Sequence, residues 1–222
     1  YKRQGLVVLQ GLFGKWTVTL LLKPAIVTLH LLGGMVILAA LTWLSARYLR
    51  PPAAGRPAEA RLLRPWALFG LVLLMMQIAL GGWVSTNYAA LACIDLPRCH
   101  GQWLPDMDFR HAFQLQRELG MTAAGAPLSN AALNAIHWTH RVGALVVTAY
   151  LGMLAFLAYR MTGLRIYAVA LAAALVIQLA LGITNVLAML PLGVAVAHNA
   201  GAALLLMSVV MLNFAIHQES TR

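Results

Sequence analysis

Charge, and negative charge above all, is scarce in this sequence. Of its 222 residues only 10% are charged, six of them acidic and sixteen Lys or Arg, while 61% are hydrophobic. A soluble domain needs more polar surface than this to cover its core, so the composition excludes an ordinary soluble protein and indicates a chain that lies in a lipid bilayer. The net charge of +10 does not indicate a nucleic-acid-binding protein, because the basic residues are concentrated in short segments beside apolar runs.

Motifs for several common enzyme chemistries are also missing. The sequence contains no phosphate-binding loop, no Ser/His/Asp combination typical of hydrolases and no paired carboxylates. What it does contain is long apolar segments. A bilayer core about 30 Å thick is crossed by about 20 residues of helix. Six runs approach that length, and the first of them carries a lysine near its end: Gly5–Leu22, Pro24–Trp43, Trp66–Ala90, Asn134–Ala158, Ala168–Leu190 and Gly193–Ile216. We therefore predict an all-α integral membrane protein with about six transmembrane helices.

The charges of the connecting segments predict the orientation in the membrane. The segment between the second and third runs has five arginines and one acid, and Arg160 and Arg165 flank the turn after the fourth run. Because basic loops remain in the cytoplasm, we expect both ends of the chain on that side. The loop of residues 91–133, with four acids and three arginines, is expected outside. A short helix from Phe109 to Leu119, capped by Asp108, is predicted within it.

An internal repeat links the first two apolar runs with the last two. LQGLFGKWTVTLLLKPAIVTLHLLGG, from Leu9, aligns without a gap with IQLALGITNVLAMLPLGVAVAHNAGA, from Ile177. The scarce polar residues coincide 168 positions apart, as the pairs Gln10/Gln178 and His30/His198. The repeat predicts a complete four-helix unit at residues 66–222, preceded by the last two helices of a sister unit at 1–50. Residues 51–65, which begin with a Pro- and Gly-rich stretch, are expected to be a cytoplasmic linker.

Histidines within the apolar runs are the candidate ligands. An ionisable side chain in a membrane usually has a partner or a function, and each histidine alone is as well explained by an interhelical hydrogen bond. His140 and His198, however, are expected about 8–9 Å below the outer ends of their helices. Two imidazoles at one depth in a four-helix unit suit bis-histidine haem ligation, whereas zinc would require three or four ligands. Through the repeat, His30 suggests a second haem site.

Four further positions could contribute to this chemistry. His137 lies nearer the water than His140 and is not expected to bind the same iron. Arg141 either pairs with a haem propionate or extends to the outer interface. Cys93 and Cys99 are expected to form a disulfide in the outer loop, although two free thiols remain an alternative. Covalent haem attachment is not expected, because the motif that ends in Cys99-His100 would need a cysteine where Leu96 stands.

Several segments together resemble bacterial haem A synthases. They are QGLFGKWTVTLLLKPAIVTLHLLGG, GGWVSTNYAALACIDLPRCHGQWLP, IHWTHRVGALVV and AVAHNAGAALLL, and they cover most of the chain. The resemblance implies eight helices in two four-helix halves and oxidation of the C8 methyl group of haem O to the formyl group of haem A. It further implies that His140 and His198 bind haem B in the C-terminal half, with Cys93 and Cys99 as the loop pair of that half. His30 would be one of two histidines in the substrate half.

The chain departs from the family's pattern because the first two helices are not in it. Those helices carry the partner of His30, a glutamate thought to be catalytic and a second cysteine pair. We expect residence in the bacterial inner membrane, with haem O, an electron acceptor and haem O synthase as partners, and homo-oligomers are left open. Two other functions are considered: a non-catalytic haem-binding, oxidase-assembly or transport protein, and a quinone-linked b-type cytochrome. The cytochrome is less favoured, since no helix has two histidines three to four turns apart.

Overall fold

The computed structural model describes residues 2–49 and 58–217, and helices account for most of them. Seven α-helices follow one another along the described chain: α1 (Lys2–Thr19), α2 (Pro24–Leu49), α3 (Arg64–Thr86), α4 (Phe109–Ala112), α5 (Asn130–Tyr159), α6 (Arg165–Leu187) and α7 (Leu192–His217). Two short 3₁₀ helices, Ala58–Leu63 and Ala89–Leu91, flank α3. This confirms the all-α architecture.

Five helical stretches are long and apolar enough to cross a bilayer: α2, Glu59–Thr86 (which ends with α3), α5, α6 and α7. Their exteriors are apolar too, since Leu145 and Val176 are each 67% exposed. An apolar exterior of this kind requires lipid, and a helix satisfies its own backbone polar groups there. The chain is therefore a multi-pass membrane protein. The expected sixth span, α1, is a helix but does not meet the same test, because its 18 residues include Lys2, Arg3 and Lys15.

The core lies within a bundle of α3, α5, α6 and α7. Fully buried side chains come from all four helices and include Ala67, Leu151, Leu171 and Leu206. Helix α2 packs against α3 and α7, and α1 packs on α2. The expected linker is only partly described: residues 51–57 lie outside the described residues, while the 3₁₀ helix after them buries Ala60 and Leu63 against the bundle.

The internal repeat is also visible in the backbone of two turns. The α1–α2 turn has positive φ at Leu21 (51°) and Leu22 (58°), and the α6–α7 turn has them at Met189 (58°) and Leu190 (60°), again 168 positions later. The closing hydrogen bonds correspond as well. Leu22 N–H donates to the carbonyl of Thr17 (2.9 Å), and Leu190 N–H donates to that of Asn185 (2.7 Å). The two helix pairs therefore share turn geometry as well as sequence.

The long loop covers one end of the bundle, which we call the loop end. It runs from 87 to 129 rather than from 91 to 133, because α3 stops at Thr86 and α5 starts four residues earlier than expected. Ser129 caps α5 by accepting from Ala132 N–H (3.2 Å), and the first two turns of α5 bury Ala132, Ala135 and Ile136 against the loop. An ion pair from Lys23 to Glu118 (2.9 Å) brings the α1–α2 turn to the same end.

The predicted loop helix is much shorter than expected. Asp108 caps it as predicted, by accepting from His111 N–H (3.2 Å), but α4 ends at Ala112 instead of Leu119. The following residues wrap around a buried arginine, Arg117. Its guanidinium donates to the carbonyls of Gln114 and Met121 (3.2 Å each) and to the side chain of Asn87, and it lies over the ring of Trp83. These contacts replace the helix that the apolar pattern indicated.

Candidate functional site

Three histidines lie in equivalent positions, each in a helix that starts at the loop end. His30 lies six residues after the start of α2, His140 ten after the start of α5 and His198 six after the start of α7. The greater number in α5 reflects its additional turns inside the loop. Each imidazole faces a glycine on the preceding helix of its pair, which allows the two helices to approach closely. The histidines therefore occupy repeated positions between paired helices.

His140 lies between α5 and α3. The side-chain amide of Gln77, on α3, donates 3.0 Å hydrogen bonds both to Nδ1 of the imidazole and to the carbonyl oxygen of His140. A Cβ added to Gly81 would lie 3.1 Å from Cε1 of the same ring. The ring is therefore held by a donor on one side and by a glycine gap on the other.

His198 has the same surroundings between α7 and α6. The amide of Gln178 contacts its Nε2 at 3.3 Å, and a Cβ on Gly182 would come within 3.1 Å of its Cε1. Its Nδ1 is buried without a hydrogen-bond partner among the described residues. His140 and His198 belong to the same four-helix bundle, because α5 and α7, which carry them, each pack against α3 and α6.

His30 lies apart from them in the α1–α2 pair. The amide of Gln10 donates to the carbonyl oxygen of His30 (2.6 Å), and Gly14 lies beside its ring, where an added Cβ would be 3.2 Å from Cε1. Its Nδ1 is also buried without a partner in the described part of the chain. Interhelical hydrogen bonds therefore reach the imidazoles of His140 and His198, as the simpler explanation of buried histidines requires, whereas the bond to His30 reaches only its backbone. In each pair a ring nitrogen or an amide oxygen has no partner among the described residues.

His137 and Arg141 contact the loop, unlike His140, although all three are in α5. The guanidinium of Arg141 donates to loop carbonyls of Asp95 (2.8 Å), Arg98 (3.0 Å) and Cys93 (2.5 Å), and its Nε–H points to Nε2 of His137 (3.2 Å). Four of its five N–H donors are used in this way. The sequence predicts a haem propionate or the outer membrane interface as the partner of Arg141, and it does not predict these carbonyls.

The loop segment that Arg141 contacts is closed by a disulfide. Cys93 and Cys99 are bonded, as the sequence predicts, and both are buried. The N–H of Cys93 points to Nδ1 of buried His137 (3.3 Å). A neutral imidazole accepts at only one nitrogen, so His137 fully satisfies one of its two donors at a time.

The carboxylate of Asp95 stabilises the disulfide-closed turn through backbone hydrogen bonds. It accepts from the backbone N–H groups of Gly101 (2.8 Å) and His100 (2.7 Å). These hydrogen bonds, that of Gly101 first, lower the pKa of Asp95 below its ordinary value of 3.8. His100 in turn meets the side chain of Asn134 (Nε2 to Oδ1, 3.3 Å), which joins the turn to α5.

Gln77 and His140 form a third copy of the repeated pair, which the gapless repeat did not predict. The repeat aligns Gln10 with Gln178, whereas the long loop separates Gln77 from His140 by 63 positions instead of 20. The signal was present as a Gln followed by Gly four residues later, and a His followed by Gly three residues later. Within residues 2–49 and 58–217, no three His, Cys, Asp or Glu side chains converge as a metal cluster would require.

Comparison with known proteins identifies the family. The model of the COX15-CtaA family, described as "Cytochrome oxidase assembly protein", matches residues 4–210, which is nearly the whole chain. This chain belongs to that family. The match includes all three histidine pairs and the loop between 87 and 129.

The chain is also similar to curated proteins that share one name. The chain is 39% identical over 216 residues to a protein of Shewanella oneidensis named "Heme A synthase", which covers 97% of this chain and 66% of the relative. Proteins of the same name from Methylobacterium radiotolerans and Methylobacterium sp. are 34% and 32% identical, over 79% and 89% of this chain and 45% and 54% of their own lengths. The chain thus spans about half to two thirds of the length of these relatives.

Proposed function

We propose that this chain is the haem-binding part of a haem A synthase, an oxidoreductase that converts the C8 methyl group of the substrate haem O to the formyl group of haem A. The observation that carries the proposal is the pair of imidazoles of His140 and His198, which lie on two helices of one apolar four-helix bundle, each beside an amide and a glycine of a neighbouring helix. Bis-histidine haem sites need such a pair, one nitrogen for each face of the macrocycle, in an apolar slot between helices. The reaction is inferred from the shared name of the relatives, "Heme A synthase".

The surroundings of these histidines fit a haem iron. A buried imidazole nitrogen without a partner is energetically costly, and Nδ1 of His198 is one. A ligand that engages the ring and reorganises its hydrogen bonds would relieve that cost. Gly81 and Gly182 let both rings lie against the backbone of the neighbouring helix, where an added Cβ would be 3.1 Å from Cε1. His140 and His198 would hold haem B, which supplies one-electron transfer when bound.

His30 is our candidate ligand for the substrate haem O. It repeats the environment of His198, and its Nδ1 is buried without a partner among the described residues. Residues 1–50 would accordingly be part of a substrate half, and residues 66–222 the haem B half. His30 would orient the substrate, and the chemistry at the methyl group would depend on groups that we expect in the rest of that half.

Arg141 and His137 would support haem B from the loop end. Arg141 fixes the carbonyls of residues 93, 95 and 98, and His137 faces the N–H of Cys93, so that together they hold the disulfide-closed turn over α5. Arg141 retains one N–H for a haem propionate. We propose that this end faces the periplasm. Arg160 and Arg165, in the α5–α6 turn, lie at the opposite end of the bundle, and basic residues favour the cytoplasm.

A non-catalytic haem-binding protein is the second candidate, because the chain spans only part of its relatives. A b-type cytochrome with haems stacked across the membrane is not favoured. Such a site needs ligands three to four turns apart on one helix, and on α5 His137 and His140 are three residues apart.

The test is a reduced-minus-oxidised haem spectrum of the purified protein and of its His140→Ala and His198→Ala variants. We expect a low-spin b-type signal that both substitutions abolish. His217→Ala is the matched control, because His217 is at the opposite end of α7 from His198 and packs on Trp43. Equal signals in all four proteins, or no haem at all, would contradict the assignment.

Conversion of haem O to haem A then separates the enzyme from the binder. Membranes that contain the protein would be supplied with haem O, and the extracted haems separated by chromatography. Formation of haem A that disappears in His30→Ala supports the enzyme. Stable haem B without any haem A favours the non-catalytic candidate.

A further inference from the structure

Three helix pairs of this protein share one arrangement, which we call the Gln–His module. In each module one helix carries a Gln and, four residues later, a Gly, while the second helix carries a His and, three residues later, a Gly. The members of the three modules are Gln10, Gly14, His30 and Gly33 in α1–α2; Gln77, Gly81, His140 and Gly143 in α3–α5; and Gln178, Gly182, His198 and Gly201 in α6–α7.

The glutamine contacts the histidine in every module, though at different atoms. Gln10 donates to the backbone carbonyl of His30, Gln178 contacts the ring of His198, and Gln77 does both to His140. A single amide can therefore hold the histidine's backbone, its ring or the two together. An amide in a low-dielectric interior makes a stronger and more directional contact than it would in water.

The two glycines give the glutamine and the ring their space. The amide oxygen of each glutamine lies against the second glycine, at Gly33, Gly143 or Gly201, where an added Cβ would collide with it. The first glycine receives Cε1 of the imidazole at 3.1 to 3.2 Å from an ideal Cβ. The histidine is thus confined between an amide and a helix backbone.

The module is kept although the connections differ greatly. The Gln–His separation is 20 in the first and third modules and 63 in the second, because the loop is inserted between α3 and α5. An incidental hydrogen bond has no reason to recur at the same register across such an insertion. The recurrence indicates that the glutamine fixes the geometry of the histidine, whatever the length of the connection between the two helices.

We infer that Gln10, Gln77 and Gln178 are positioning residues for the three histidines, and that Gln77 and Gln178 tune the haem held by His140 and His198. This inference rests on the proposed function. By contacting the imidazole, Gln77 and Gln178 preset the ring orientation and alter the electron density of the ligand, whereas Gln10 contacts only the backbone carbonyl of His30. Partners of metal-bound histidines act on both affinity and redox potential.

The experiment compares Gln77→Met and Gln178→Met with Gln10→Met, all in the haem-loaded protein. Methionine has a similar length but lacks the amide. We expect the first two variants to retain haem, to release it to an acceptor apoprotein about tenfold faster than the unsubstituted protein, and to have a shifted midpoint potential. Gln10→Met removes the equivalent amide from His30, in the other half. It should leave unchanged the release rate and the midpoint potential of the haem held by His140 and His198.

The outcomes separate this inference from the proposed function. If the unsubstituted protein binds haem through His140 and His198 but neither glutamine variant changes the midpoint potential or the release rate, the positioning role is wrong and the haem site stands. If Gln10→Met changes them as much as the other two, the glutamines act only on helix packing, which also overturns the inference. Absence of haem from the unsubstituted protein overturns both.

Discussion

His137 and His140 lie about one turn apart on α5, but their surroundings differ. His137 is buried beneath the loop, between the N–H of Cys93 and the guanidinium of Arg141. His140 is held by Gln77 of a neighbouring membrane helix and its ring lies against Gly81 of that helix. The first therefore belongs to the structure of the loop and the second to the bundle interior. Position along α5, rather than residue type, determines which function each histidine can serve.

The largest effect is expected from exchanging each of these histidines for phenylalanine. His140→Phe removes a proposed iron ligand and should abolish the low-spin haem spectrum. His137→Phe fills a similar volume and should keep the spectrum, while it leaves the N–H of Cys93 unpaired at a cost of about 1–3 kcal/mol. Spectra and hydrogen exchange of the loop amides would be measured on both variants. Loss of haem in His137→Phe alone would reverse the roles that we assign.

Replacing Arg141 should have the next largest effect, and it should act on the loop. Arg141→Ala removes charged donors from the carbonyls of Cys93, Asp95 and Arg98, and we expect loop opening to become easier by about 3 kcal/mol. The rate at which a mild thiol reductant opens the disulfide measures this, and it should rise by about a hundredfold.

A matched control for Arg141 is Arg110→Ala, in the loop helix α4. Its side chain is exposed, so its removal should leave the reduction rate unchanged. If Arg141→Ala also left it unchanged, the four contacts of the guanidinium would contribute nothing to the stability of the turn.

Gly81→Ala tests the interior side of the comparison. Its Cβ would lie 3.1 Å from Cε1 of His140, so the ring must shift by a few tenths of an ångström. We expect haem release to become severalfold faster, equivalent to about 1 kcal/mol. Gly152→Ala, in α5, is the control because nothing lies within 4 Å of its Cβ position. Equal release rates in the two variants would show that the glycine gap does not constrain the ring.

The sequence predicted the interior of this protein better than its loop. Long apolar runs and a gapless repeat are one-dimensional signals, so five spans and the equivalent positions of His30 and His198 could be read directly. The start of α5 was missed because Ser129 and Asn134 resemble loop residues, although Ser129 is the cap and Asn134 is buried. The contacts of Arg141 join residues 43 to 48 positions apart through backbone carbonyls, which leave no trace in side-chain patterns.

The smallest expected effect is a pH dependence of the loop that comes from Asp95. Its pKa is lowered in the folded loop by the N–H groups of Gly101 and His100, so the ionised carboxylate favours the closed turn. That contribution is complete above the ordinary pKa of 3.8 and is lost as the pH falls through the lower folded value. Exchange of the Gly101 amide should therefore accelerate, relative to intrinsic exchange, on acidification below about pH 4. In Asp95→Asn this acid-dependent step should be absent while the haem spectrum is unchanged, because the turn is joined to α5 through Arg141 and His137 and not through the bundle interior. A haem spectrum that followed the charge of Asp95 would mean that the loop and the interior of α5 are coupled.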